Sequence, residues 1–209
     1  MTASEPGLLE FRSLVARRLG LWFDDHRWDF LANVLRERTA AGGGSVTGYL
    51  QKLAGLGAQD EWRELAGLLT ITETYFLRGR DHFRAFVDTV LPDRLRPPAP
   101  PRPFRLLSAG CASGEEAYSL AILLQENGAA LAGRAVEIVG VDINRAALAK
   151  ARAGRYTAWS LRETPPEIRE KYFHPVRSEF MLDERILARF PLLSAMCWNT
   201  VIRVAKPRS

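Results

Sequence analysis

Phe104-Arg-Leu-Leu-Ser-Ala-Gly-Cys-Ala-Ser-Gly-Glu-Glu-Ala-Tyr-Ser119 is the stretch on which the fold of this chain turns. Phe104, Leu106 and Leu107 predict a short buried strand. Gly110 and Gly114 free the backbone for a turn. Ser113 is a candidate helix N-cap, and Glu116, three residues on, completes a capping-box pattern. Leu120, Ala121, Ile122, Leu123 and Leu124 carry the helix forward. A strand, a glycine turn and a helix in that order is how α/β proteins present a nucleotide-like ligand to a helix N-terminus.

The charge of the loop narrows the ligand. A phosphate calls for backbone N–H groups and a Lys, and residues 108–119 contain no Lys. Two glutamates at the rim suit a cationic ligand without phosphate, and S-adenosylmethionine carries both a sulfonium and an ammonium. The plainer reading is that both Glu only complement the helix dipole. Downstream, Val136-Glu-Ile-Val-Gly-Val-Asp-Ile143 is a second strand candidate, rich in β-branched residues. It ends in Asp142, with Asn144 as a candidate cap for a helix over 145–152. Ligands of open parallel sheets lie beyond the carboxyl ends of the strands, where an acidic residue accepts from ribose hydroxyls. Asp142 as a mere turn residue is the alternative, but the glycine turn one crossover earlier favours the ribose role. The Gly110-x-x-x-Gly114 spacing departs from the G-x-G-x-x-G of dinucleotide enzymes, which disfavours an NAD-dependent oxidoreductase.

Residues 108–121, with Val141-Asp-Ile-Asn144 and Ala149-Lys-Ala-Arg-Ala-Gly-Arg-Tyr156, resemble the cofactor segments of the chemotaxis receptor methyltransferases, the CheR family. Leu69-Thr-Ile-Thr-Glu-Thr-Tyr-Phe-Leu-Arg78, with Phe83 beyond it, resembles that family's substrate-facing motif. Asp24-Asp-His-Arg-Trp-Asp-Phe-Leu31 is similar to its N-terminal helical domain. The resemblance runs from about Phe11 to about Phe190, with the motifs in the family's order. It implies S-adenosylmethionine-dependent methyl transfer to glutamate side chains of a chemoreceptor-like protein with acidic helices, leaving S-adenosylhomocysteine. The residues it marks for the cofactor are Thr72, Thr74, Arg78, Gly110, Glu116 and Asp142. Arg78 is also the catalytic candidate, because a guanidinium can orient a carboxylate through two parallel bonds. From chemistry alone Arg78 reads as a surface residue. The family often has Asn where Thr72 stands.

Composition sets outer limits. The 209 residues are 47% hydrophobic with a net charge of +5, ordinary for a globular protein and weak as a sign of nucleic-acid binding. No apolar run approaches the roughly 20 residues needed to span a bilayer, and the N-terminus lacks a signal-peptide pattern. A cytoplasmic location is therefore expected. Cys111 and Cys197 form no framework, and His26, His82 and His174 have no metal-ligand spacing, so no metal is expected. Cys111 has no sequence-adjacent base to make it a nucleophile.

The expected fold is α/β: an all-helical domain over 8–91, a Pro-rich linker over 92–103, and a Rossmann-like methyltransferase domain over 104–190. Helical spacing marks 8–20, then a helix carrying Trp28, Leu31, Val34 and Leu35 with Asp24 or Asp25 as its cap. Further helices are expected over 46–56 with Ser45 as cap, over 61–69 with Asp60 as cap, and over 81–90. Five prolines between Leu95 and Pro103 mark the boundary. Residues 163–172 predict a short helix with Pro near its start. Residues 179–182 and 185–190 predict two strands joined through Asp183-Glu184. By resemblance these belong to a small β subdomain over about 172–190, and their short, glycine-free turn argues against docking of a receptor tail. The tail over 191–209 lacks the family's later cofactor motif. The chain thus reads as missing the second half of its sheet, with weak cofactor binding and little turnover expected. A non-catalytic cofactor- or receptor-binding remnant is the main alternative.

Overall fold

The computed structural model describes residues 5–96, 103–128, 131 and 134–189. The tail over 191–209, with Cys197, and four of the five prolines between Leu95 and Pro103 lie outside them. The chain divides into two compact units at Ile71/Thr72.

The first unit is helical: α1 (Glu5–Leu19), α2 (Trp28–Ala41), α3 (Val46–Ala54) and α4 (Gln59–Leu69). Their apolar stripes meet in one core, with Phe11, Val15, Leu31, Leu35 and Leu65 fully enclosed. Ser45 caps α3 as expected, accepting from Gly48 N–H at 3.1 Å. The aspartate caps do not form. Asp25 sits in a short 3₁₀ turn before α2 and pairs with Arg12 at 2.8 Å, and α4 begins one residue before Asp60. Glu61 instead accepts from Arg38 at 2.8 and 2.7 Å and from the Tyr49 hydroxyl at 2.6 Å, joining α2, α3 and α4. The Arg38 bonds hold the Glu61 carboxyl below the usual carboxylate range.

The second unit mixes helix and strand. It begins with α5 (Arg80–Ala85), which continues through a wider π-type turn (Phe86–Val90) into α6 (Leu91–Leu95). The sequence groups this helix with the N-terminal domain. Phe86 and Leu91 instead share a buried cluster with Phe104, so long-range packing outweighs the proline boundary. Next come β1 (Phe104–Ala109), α7 (Glu115–Glu126) and β2 (Val136–Val141). The two strands are adjacent and parallel, Phe104 opposite Val136 and Ala109 opposite Val141. A helix between two parallel neighbours is the βαβ unit.

After α8 (Arg145–Ala153) the chain forms a small antiparallel sheet in the order β3–β5–β4, from β3 (Arg155–Tyr156), β4 (Phe173–Val176) and β5 (Glu179–Leu182). Between β3 and β4 lies α9 (Pro166–Tyr172), opening on a proline as expected. The final element, α10 (Glu184–Arg189), corrects the expected strand over 185–190. The cause is Asp183, whose carboxylate accepts from Arg185 N–H at 2.8 Å and whose carbonyl accepts from Ile186 N–H at 3.0 Å. Asp183-Glu184 therefore starts a helix, and the hairpin turn is Arg177-Ser178, with Arg177 at φ 57° and no glycine.

Candidate cofactor site

The loop between β1 and α7 is shaped by backbone that only certain residues tolerate. Gly110 has φ 78° and Gly114 has φ 92°, in the left-handed region that glycine enters without a Cβ penalty. Gly114, not Ser113, is the N-cap of α7, so the capping box does not form. The Ser113 hydroxyl donates to Glu115 at 2.7 Å instead. A Cβ added at Gly110 would meet nothing within 4 Å, so space opens in front of the turn.

Three successive N–H groups of the loop are spent on the end of β2. Gly110 and Cys111 both donate to the Val141 carbonyl, at 2.8 and 3.0 Å, and Ala112 donates to Asp142 Oδ2 at 2.8 Å. Asp142 Oδ1 accepts from Asn144 N–H at 2.7 Å, and the Asn144 side chain caps α8 by accepting from Ala147 N–H at 3.0 Å. The Asp142 carboxylate is half-buried. Each of its oxygens accepts one backbone N–H and keeps a second lone pair for a ligand hydroxyl.

The two glutamates of the loop part company because successive helical residues point about 100° apart. Glu116 is exposed and accepts from the Ser108 hydroxyl, at the end of β1, at 2.6 Å. Glu115 is 2% exposed. It accepts from Ser113 and, at 3.2 Å, from Ser160. Burial raises its pKa above the ordinary carboxylate value. Nothing in the loop sequence separates these neighbours: both stand at the rim of the turn, and only the family resemblance marks Glu116 for the cofactor. Cys111 is enclosed, and burial, with the Asp142 charge second, pushes its thiol up to about 12. It is a thiol, not a thiolate, at neutral pH.

The segment bearing Thr72, Thr74 and Arg78 is irregular backbone fastened at its middle. Phe76 is 1% exposed and meets Tyr156 and Phe173 edge-to-face, each at 4.8 Å between ring centroids. Its N–H donates to the Ser160 carbonyl at 2.9 Å, and Leu77 N–H donates to the Ser119 hydroxyl, on α7, at 3.0 Å. Thr72 and Arg78 are exposed and Thr74 is half-buried. Arg78 donates to the Glu73 carbonyl at 3.1 Å and lies 5.6 Å from the Tyr75 ring centroid. The structure thus ties the loop of Gly110 and Glu116 to Asp142, and the Thr74–Arg78 segment to the helix that loop starts. Among the described residues no cluster of His, Cys, Asp and Glu fits a metal ion, and no helix is long and apolar enough to cross a membrane.

Residues 72–192 match the family model described as "CheR methyltransferase, SAM binding domain". The chain is 31% identical over 164 residues to chemotaxis protein methyltransferase 2 of Vibrio cholerae, covering 78% of this chain and 57% of that protein. It is 32% identical over 177 residues to the probable biofilm formation methyltransferase WspC of Pseudomonas putida, 84% of this chain and 41% of that protein. To the chemotaxis protein methyltransferase of Escherichia coli it is 29% identical over 174 residues, 83% of this chain and 58% of that protein. The chain spans about half the length of these curated relatives.

Proposed function

The chain belongs to the CheR methyltransferase family, and from that premise we propose that its second unit binds S-adenosylmethionine and serves methyl transfer to glutamate side chains of a chemoreceptor-like protein. In this reading β1–α7–β2 is the opening βαβ unit of a Rossmann-like methyltransferase sheet. The observation that carries it is the join between loop and strand, the Ala112 N–H on Asp142 Oδ2. With Gly110 and Cys111 donating to the Val141 carbonyl and Ala112 to Asp142, three loop N–H groups are already committed and are not offered to a pyrophosphate. What the loop offers a ligand is open space at Gly110 and carboxylates at Glu116 and Asp142. That set fits a ribose and a cationic amino-acid sulfonium, and its two carboxylates disfavour a phosphate.

Asp142 would accept the two ribose hydroxyls on its remaining lone pairs. Glu116, with the buried Glu115 behind it, would make the mouth favourable for positive charge. Bound there, S-adenosylmethionine supplies a methyl group activated by its sulfonium. The acceptor glutamate is already ionised near neutral pH, where carboxyl pKa values are about 4.3, so no general base is needed. Arg78 would hold that carboxylate through paired N–H donors, and Thr74 would help set its approach. The contribution of the protein is alignment, which is worth a large share of a rate when the reacting atoms must lie in line. The products are S-adenosylhomocysteine and a glutamyl methyl ester.

Calorimetric titration with S-adenosylhomocysteine and with NAD, followed by transfer of a labelled methyl group to receptor fragments, tests this reading. Saturable but weak binding of the first ligand alone is the expected result, with little base-labile label on the receptor. Binding of NAD in its place would overturn it. Binding of S-adenosylhomocysteine with no transfer would leave the alternative of a non-catalytic cofactor-binding module.

A further inference from the structure

Beside the segment that carries Arg78 lies a second arginine in an unusual setting. The Arg162 guanidinium carbon is 3.5 Å from the Tyr75 ring centroid and 3.9 Å from that of Trp159. Arg162 also donates from Nη1 to the Trp159 carbonyl at 2.7 Å. Arg162 is exposed and Trp159 is 60% exposed, so this stack lies on the surface. Tyr75 links it to Arg78. Arg80 adjoins on the other side, donating to the Glu163 carbonyl at 2.8 Å, with the Glu163 carboxylate 3.9 Å away. Among the described residues neither Arg78 nor Arg162 forms an ion pair.

Packing between rings restricts the Arg162 side chain before any partner arrives, so less rotamer freedom is lost on binding. A guanidinium has five N–H donors, and the Trp159 carbonyl takes one. Positive charge, planar donors and an exposed aromatic face together suit an acidic peptide: carboxylates on the guanidinium, aliphatic stems on the indole. We propose that Tyr75, Trp159 and Arg162, flanked by Arg78 and Arg80, form a docking surface for acidic residues that neighbour the methyl-accepting glutamate. The proposal rests on the glutamate-methylation reading given above for what it places next to Arg78. The surface itself needs only an acidic partner.

The test uses the full chain and a labelled helical peptide with glutamates on one face, followed by fluorescence anisotropy at low ionic strength. The same peptide with glutamine in place of glutamate is the comparison. Arg162→Ala and Trp159→Ala should each weaken binding roughly three- to tenfold, the range spanned by exposed and charge-assisted contacts. Arg162→Lys should recover only part of it, because an ammonium keeps the charge without the stacking plane. Arg152→Ala, an exposed arginine on α8, should change binding little. Calorimetry with S-adenosylhomocysteine on the same variants should give unchanged affinity. Equal losses for Arg162→Ala and Arg152→Ala, equal binding of the glutamine peptide, or no peptide binding at all would each overturn the docking surface. Failure of wild-type protein to bind S-adenosylhomocysteine would instead sink the cofactor reading, and the peptide measurements would still judge the surface.

Discussion

The backbone N–H of Leu77 is bonded to the hydroxyl of Ser119, 42 residues later in sequence, at 3.0 Å. The same hydroxyl donates to the Glu115 carbonyl at 2.6 Å, so one buried side chain completes a helix turn and holds the neighbouring loop. Ser119→Ala removes both bonds and leaves the Leu77 N–H without its partner. The expected cost is about 1–3 kcal/mol, the range for an unsatisfied buried donor. Chemical denaturation measures it. A change below about 0.5 kcal/mol would mean the segment does not depend on this tether.

Phe76 is the apolar half of the same attachment. Phe76→Ala should destabilise the second unit by about 3–5 kcal/mol, because its ring fills space between Tyr156 and Phe173. Phe76→Leu should cost less. The order of the two variants in a denaturation series checks the cavity argument.

Asp142 has two tasks in this structure, tethering the loop and, in the proposed function, holding a ribose. Asp142→Ala should weaken S-adenosylhomocysteine binding by about 1.5–3 kcal/mol, the scale of hydrogen bonds to a charged group. Glu116→Gln should weaken it less, since an amide oxygen can still accept from Ser108. Titration calorimetry on both variants is the measurement, and full affinity in the two together would remove them from the cofactor site.

Glu61 makes the first unit sensitive to acid. Its folded pKa lies below its unfolded value, first through the Arg38 bonds and further through Tyr49. The stability it contributes is therefore present above the unfolded carboxyl value of about 4.3 and lost as pH falls through the lower folded value. Glu61→Gln should cost about 1–2 kcal/mol near neutral pH and much less once the wild-type carboxylate is protonated. Denaturation curves taken at both pH values check the convergence.

Cys111 should resist alkylation. Its thiol is enclosed and shifted up to about 12 by burial, so the folded protein presents almost no thiolate at neutral pH. Mass spectrometry after brief iodoacetamide treatment should find Cys111 unmodified in native protein and modified after unfolding. Rapid native labelling would show that the loop opens.

The parts of the fold that were legible in sequence are those with a strong local signal. The strand pair followed from apolar and β-branched runs broken by glycine, and Ser45 and Asn144 cap as their positions before helical runs suggest. The errors arose where a neighbour competed for the same group. At the start of α7 the serine hydroxyl could serve either the backbone or Glu115, and the left-handed Gly114 decided it. At 184–189 a short run with adjacent Ile186 and Leu187 read as a strand, but the Asp183 carboxylate takes the Arg185 N–H and starts a helix. Strand β3, two residues long, has too little sequence to carry a period. The candidate site was proposed from a pattern of residue types. Which of Glu115 and Glu116 is buried, and how Arg162 sits between two rings, depended on contacts from segments far away in sequence.

The bond from Ala112 to Asp142 also makes the candidate site a gauge of strand register. Asp142 directly follows the last paired residue of β2, Val141, opposite Ala109. A slip of one residue would carry Asp142 about 3.3 Å along the strand and turn its carboxylate to the opposite face. The loop would lose its tether and the proposed ribose its acceptor in the same step. A chain paired out of register could thus keep much of its helix and strand content while being blind to the ligand, and titration would count only the correctly zipped molecules.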